Sequence, residues 1–160
     1  MAGIDYKVEG LDELLSKLKT VNHDIGHKGG RFALRKAAQV IRDQVKANAS
    51  RIDDPQTAAD RAKNVVERWS GRTFKRTGNL MFRVGIMGGA GGNKPSEAFA
   101  NNPGLDTRHW RYLEFGTQST PANPFFRRAM DKGQEATSTF IKEYDKALDR
   151  AIKRAKKGKK

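Results

Sequence analysis

The sequence predicts an α+β domain, and three patterns predict it. Apolar residues recur at helical spacing over 11–21 and 31–48, and Phe82, Val84 and Ile86 alternate with Met81, Arg83 and Gly85. Apolar positions at three- and four-residue intervals then run from Phe126 to Ile152. The first and third patterns predict N-terminal helices and a long C-terminal helix. The alternation predicts one strand, 80–87, of a small antiparallel sheet whose other members are expected near 4–8 and 110–115.

Taken in chain order, Ile4, Tyr6 and Val8 alternate with Asp5 and Lys7 as a half-buried strand does, and Gly10 ends it. Leu11, Leu14, Leu15, Leu18 and Val21 then share one helix face. Gly26, Gly29 and Gly30 each cost about 1 kcal/mol inside a helix relative to alanine, so 22–30 is expected to turn. The helix over 31–48 carries Leu34, Ala37, Ala38, Ile41 and Val45 on one side and Arg and Lys on the other. Asp54 before Pro55 has the form of an N-cap followed by proline in the first turn. Ala58, Ala62, Val65, Val66 and Trp69 continue at helical spacing, so a third helix is expected over 55–69, with Trp69 closing its apolar face. Gly71 ends it, and Arg72 to Arg76 leads to the turn signal Thr77-Gly78-Asn79.

The segment 88–104 holds five glycines, two prolines and three asparagines, a composition that buries too little apolar surface to offset its ordering entropy, and it is expected to be a mobile loop. Trp110 to Phe115 reads as a strand ending at Gly116, and Thr117 to Asn123 as a turn held by Pro121 and Pro124. Phe125 returns the chain to the core, and Gly133 is the weak point of the helical stretch that follows. From Arg150 to Lys160 there are seven basic residues and no acidic one, which reads as a solvated tail. The expected organisation is one α+β domain over 1–149, with its flexible loop at 88–104, and a basic tail over 150–160.

At 160 residues the chain suits a single domain, and 32 Lys plus Arg against 18 Asp plus Glu give it a formal charge of +14. Such an excess attracts polyanions, nucleic acid and acidic protein surfaces alike. The absence of cysteine removes disulfides, thiolate nucleophiles and thiolate metal sites together. No run approaches the roughly 20 apolar residues of a membrane span, and residues 1–10 have no apolar signal core, so a soluble cytoplasmic product is expected.

No residues assemble into a catalytic pattern. His23 and His27 have the four-residue spacing of a metal pair, but they lie in a glycine-rich turn and only His109 accompanies them, so they are read as polar linker residues. Gly88-Gly89-Ala90-Gly91-Gly92 lacks the Gly-Lys-Ser/Thr ending of a phosphate-binding loop. Asn48-Ala49-Ser50 matches a glycosylation sequon without a secretory context, and Asp53 and Asp54 read as turn and cap. No enzyme activity, cofactor or metal is expected. Arg72, Lys75 and Arg76 interleave with Trp69 and Phe74, a mixture able to bind single strands by stacking and charge, although Trp69 is more simply read as core.

The strongest local signal is Trp110-Arg111-Tyr112-Leu113-Glu114-Phe115-Gly116-Thr117, a polar turn, and then Pro121-Ala122-Asn123-Pro124-Phe125-Phe126-Arg127-Arg128-Ala129. Upstream come Trp69-Ser70-Gly71-Arg72, Arg76-Thr77-Gly78 and Phe82-Arg83-Val84-Gly85. This pattern, over nearly the whole chain, resembles the lambdoid tailed-phage tail-component or tail-completion family, the "gene product ten" family, akin to minor tail protein Z. Within it Tyr112 and Phe115 are expected to anchor the strand, Gly116 to permit the turn and Pro124 to set the start of the helix.

The resemblance implies a structural virion protein at the head-proximal end of the tail or in the neck. It implies a homo-oligomeric ring, commonly six-fold, joining the tail tube or tail terminator to the head connector with genomic DNA in the lumen, and host cytoplasm as the place of assembly. The motif residues Trp110, Tyr112, Glu114, Phe115, Gly116, Thr117, Pro121, Ala122, Pro124, Phe125, Arg127 and Ala129 would then be structural. Contacts to subunits, partners or DNA would fall to Arg72, Lys75, Arg76, Arg128, Arg150, Lys153, Arg154, Lys156 and Lys157, with 88–104 and 150–160 ordering on assembly. The other reading open to so basic a chain is a nonspecific nucleic-acid-binding protein or assembly factor.

Overall fold

A line of small and branched residues four apart, Ala33, Ala37, Ile41, Val45 and Ala49, makes helix α1 (Gly30–Ser50) the support for everything else. In the computed structural model, which describes residues 24–52, 59–88 and 96–157, a π-helical stretch Asp24–Gly29 leads into it. Such an i, i+4 row is the ridge along which helices pack, and three alanines in it let neighbours approach closely. The expected helix over 31–48 is therefore present, one turn longer in all.

On one side of α1 lies a two-stranded sheet. A single helical turn α2 (Arg61–Asn64) leads into β1 (Val65–Trp69), helix α3 (Gly71–Thr77) follows, and β2 (Phe82–Ile86) returns antiparallel with Val65 opposite Ile86 and Trp69 opposite Phe82. Val65, Ile86, Val45 and Ala49 join Phe125 and Ala129 in one buried cluster. Val45, Val65 and Phe125 are shut off from solvent, each worth about 1.5–3 kcal/mol of apolar burial. Trp69 lies against Phe74 and Phe82, with the Arg31 guanidinium 4.6 Å from its ring centroid.

On the other side runs the long C-terminal helix. A 3-10 stretch, Arg127–Lys132, passes into α5 (Gly133–Lys157) at Gly133, the expected weak point, where the helix type changes. The Asn48 amide donates to the Phe125 carbonyl at 2.9 Å, near one end of α1, and the Arg150 guanidinium lies 6.0 Å from the Phe32 ring near the other. The two long helices therefore run antiparallel, with Phe140 and Tyr144 of α5 stacked at 5.6 Å. The α5 helix continues without a break into the basic run as far as Lys157.

The α+β class holds, but several elements differ from expectation. Val65–Trp69 is a strand, not the end of a helix over 55–69: Val65, Glu67 and Trp69 face α1 while Val66 and Arg68 face away, and β2 supplies the hydrogen-bonding partner. Asp60 caps the one helical turn there, accepting the Lys63 N–H at 3.1 Å. Arg72 to Arg76 is helical, and Gly78 ends that helix by donating its N–H to the Phe74 carbonyl. Trp110–Phe115 is a short helix, α4, not a strand, because its i and i+4 residues Trp110 and Glu114 both face inward toward Phe125 and Phe126. Within the described part of the expected loop 88–104, Ser96–Phe99 forms a 3-10 turn and Phe99 is buried. The strand expected at 4–8, the helix over 11–21 and the Asp54-Pro55 cap lie outside the described residues.

One carboxylate, paired with two arginines, fastens the sheet to α1. The Glu67 carboxylate, on β1, accepts from Arg42 Nη1 at 2.7 Å and Gln39 Nε2 at 3.2 Å, with Arg35 Nε at 3.4 Å. Burial pushes this carboxyl upward, but the hydrogen bonds from Arg42 and Gln39 outweigh it and hold its pKa down at about 2. Because the folded value lies below the unfolded value of 4.5, Glu67 contributes its full stability above about pH 4.5 and loses it as the pH falls toward 2. Urea denaturation across that window should show the wild type losing stability faster than Glu67→Gln; parallel pH profiles would contradict the assignment.

Candidate assembly site around Glu114

The carboxylate of Glu114 is 1% exposed and is enclosed by donors from a segment eleven to thirteen residues further on. Oε2 accepts the N–H groups of Phe125 at 2.9 Å and Phe126 at 2.8 Å, and Oε1 accepts the Arg127 N–H at 2.9 Å and its Nε at 3.0 Å. Arg127 Nη2 returns a bond to the Glu114 carbonyl at 2.7 Å. The three amides open the 3-10 stretch, where backbone donors lack intrahelical partners, so a side chain from α4 caps that stretch across space. Burying a carboxylate is costly, and four donors, one of them a guanidinium, offset the cost. Trp110 lies 6.4 Å from the Phe125 ring and 5.9 Å from the Phe126 ring, closing the site with apolar area.

Between the two halves the chain must reverse tightly. Gly116 has φ 76 and ψ 176, and a Cβ there would stand 2.8 Å from the Ala122 nitrogen, so glycine is required both by conformation and by close approach. Thr117 donates its N–H to the Thr120 carbonyl and accepts the Thr120 N–H on its hydroxyl. Asn123 donates to the Leu113 carbonyl at 2.7 Å, drawing the strand-like return back onto α4. Pro121 and Ala122 are exposed on this turn, Pro124 is half-buried where it re-enters, and Ala129 is fully buried against α1.

Tyr112 and Phe115, expected to anchor a strand, point outward, each 59% exposed. The Arg127 guanidinium covers the Phe115 ring at 5.1 Å, and Tyr112 stacks on His109. Met130, 64% exposed, stands three residues past Arg127, and in a 3-10 helix residues three apart eclipse. Tyr112, Phe115, Arg127 and Met130 thus form one exposed surface, with Arg111 and Arg128 exposed beside it. The helical period of 110–115 would have indicated this arrangement; a strand period does not.

A second buried polar side chain, Asn64, holds the preceding segment and had no signal in the sequence beyond being polar next to Val65. Its Nδ2 donates to the Leu105 carbonyl at 2.8 Å and to Thr107 Oγ1 at 2.7 Å, and its Oδ1 accepts the Gly104 N–H at 2.8 Å. A Cβ on Gly104 would collide with the Asp60 carbonyl. Arg108 lies over the Phe99 ring at 5.1 Å and pairs with Asp106.

The candidate cations fall into three places. Arg72, Lys75 and Arg76 share the exposed side of α3, and Arg150, Lys153, Arg154 and Lys157 are exposed on the last turns of α5, which also contain Lys156. Both groups flank residues 27–32: the Phe74 ring is edge-on to His27 at 5.1 Å, and Arg150 lies over Phe32. Arg128 belongs instead to the Glu114 end. His23 is outside the described residues, and among the described residues no three metal-ligating side chains come together. No helix among them is long and apolar enough to cross a membrane.

Removing the central acceptor should be costly in proportion to the donors it strands. Glu114→Ala strips three amides and Arg127 Nε of their acceptor, and urea unfolding should register a loss of about 3 kcal/mol or more, whereas Glu114→Gln, which keeps one acceptor oxygen, should lose less. Equal and small losses would contradict the capping role. Gly116→Ala should cost more than about 1 kcal/mol through strain alone, read by the same assay.

A family model described as "Bacteriophage HK97-gp10, putative tail-component" matches residues 12–116. That span is about two-thirds of the chain rather than nearly all of it: it takes in α4 and Gly116 and stops short of the 121–129 segment that Glu114 binds. Neither the curated proteins nor the solved structures compared yield a match. On the matched residues, the chain belongs to the HK97-gp10-like family of bacteriophage tail components.

Proposed function

We propose that this tail component is a structural protein of the virion, assembled as a homo-oligomeric ring at the head-proximal end of the tail or in the neck. There it joins the tail tube or tail terminator to the head connector, with DNA passing through the centre. The observation that carries the proposal is the exposed surface of Tyr112, Phe115, Arg127 and Met130. Aromatic residues, Met and Arg are the types enriched at protein interfaces, and large apolar side chains exposed together are the mark of a contact site. The Glu114 network holds two sides of this surface rigid, which lowers the entropy lost on association. The role assigned is architectural, not catalytic.

The second reading, a nonspecific nucleic-acid-binding assembly factor, draws support from the cations grouped at the 27–32 end of the molecule. The two readings part on whether the chain remains in the finished particle. Quantitative mass spectrometry of purified virions should find it in a small ring number, commonly six, against the tail tube; its absence would favour the assembly factor. Tyr112→Ala with Phe115→Ala should leave the circular dichroism spectrum and melting temperature close to wild type while lowering incorporation into particles at least tenfold, because interface hot spots are aromatic and cost about 2 kcal/mol or more when truncated. Undiminished incorporation would exclude this surface as the contact.

A further inference from the structure

The outward face of the sheet and the free side of α3 make one surface that membership of a tail-component family does not explain. Val65, Glu67 and Trp69 turn toward α1, which leaves Arg68 and its cross-strand partner Arg83 exposed on the opposite face. Like charges set directly opposite on a sheet repel, and among the described residues neither arginine has an acidic partner. Arg72, Lys75 and Arg76 are in the same position: their i, i+3, i+4 spacing gathers them on α3 away from Phe74, whose ring packs on Trp69, and no acidic group pairs with them. One shallow groove along the sheet includes Arg68, Ser70 and Arg83, another over α3 includes Gly71, Arg72, Lys75 and Arg76, and the chain passes from the first to the second at Ser70 and Gly71. From Arg61 to Gly88 the sole acidic residue is Glu67, and it is turned to α1.

We infer that this surface binds the phosphate backbone of nucleic acid without reading its sequence. Five cations with no internal counter-charge need an anion from outside, and four of the five are arginines, whose planar fork matches phosphate oxygens. An acidic protein is the competing polyanion, but protein interfaces are built on a desolvated apolar centre of exposed anchors, and the apolar side chains lining the groove beside the arginines, Val66, Trp69, Ile86 and Met87, are all buried or half-buried. Tyr112, Phe115 and Met130, the most exposed large apolar side chains among the described residues, are at the α4 surface instead. The helix on this face among the described residues, α3, has seven residues, so backbone contact rather than groove readout is the mode available. Arg68 and Arg83 thereby join Arg72, Lys75 and Arg76 as nucleic-acid contacts. The inference deepens the proposal that DNA passes close to this chain, and it stands on the charge pattern whether or not the chain forms a ring.

Fluorescence anisotropy of the purified full chain with a short random-sequence duplex tests it apart from any virion. Five phosphate contacts predict a slope of log K against log salt of about −4.5. Replacing Arg68, Arg72, Arg76 and Arg83 together by Gln should flatten the slope by about 3 to 4 units and weaken binding more than about 100-fold at low salt. The equal charge loss in Lys46→Gln, Arg51→Gln, Lys132→Gln and Lys142→Gln, cations elsewhere on the molecule, should change both far less. Arg68→Lys with Arg83→Lys should keep most of the slope. Equal losses in the two fourfold variants would overturn the assignment of the surface. Failure of the wild type to bind duplex at low salt, with the Arg-to-Gln variant nonetheless missing from particles, would overturn nucleic acid in favour of an acidic protein.

Discussion

The hydrogen bonds between the Glu114 carboxylate and the amides of Phe125, Phe126 and Arg127 set the arrangement of the whole C-terminal half. They determine where the 3-10 stretch begins and hence where α5 starts. They bring Phe125 and Ala129 into the cluster with Val45, Ala49, Val65 and Ile86, and so tie the helix pair to the sheet. They also force the reversal at Gly116, since α4 and the segment after Pro124 must lie side by side for one carboxylate to reach both. A neutral or shorter residue at 114 could satisfy some of these donors but not all.

This molecule orders irregular chain with buried polar side chains instead of with regular structure. Glu114 organises 125–127 and Asn64 organises 104–107, and each receives or gives three or more bonds that backbone ladders would otherwise supply. Glu67 plays the matching part for the sheet, which has two strands among the described residues and is held on one side by α1. Two strands alone are marginal in water, so a hydrogen-bonded ion pair and the Val65–Ile86 contact with α1 share that task. The division of the surface follows from the same plan: the Glu114 end presents Tyr112, Phe115, Met130 and arginine, and the opposite end presents clustered cations beside the part-exposed Phe32 and Ile152.

How much of this could be read beforehand depended on the length of each pattern. Helices over about twenty residues declare their period, and 31–48 and the stretch after Gly133 were legible for that reason. The alternation at Phe82, Val84 and Ile86 marked β2 equally well. Short runs were misleading: Ala62, Val65, Val66 and Trp69 fall at helical spacing, yet the strand won because β2 lies alongside with bonds to offer. Trp110 to Phe115 looks like a strand by composition, yet Glu114 can reach the distant amides only from the inward side of a helix, and those partners are not visible in local sequence. The motif residues were therefore identifiable as a set while their roles were not: Tyr112 and Phe115, expected to anchor a strand, stand outward on a helix.

The dependence on Glu114 is tested most directly by amide hydrogen exchange, residue by residue, at Phe125, Phe126 and Arg127. In the wild type these three amides should be protected to a similar degree, although two of them precede any helical hydrogen bonding, and in Glu114→Ala all three should lose protection together while the middle of α1 keeps its own. Independent rates for the three, or protection that survives the loss of the carboxylate, would contradict the account.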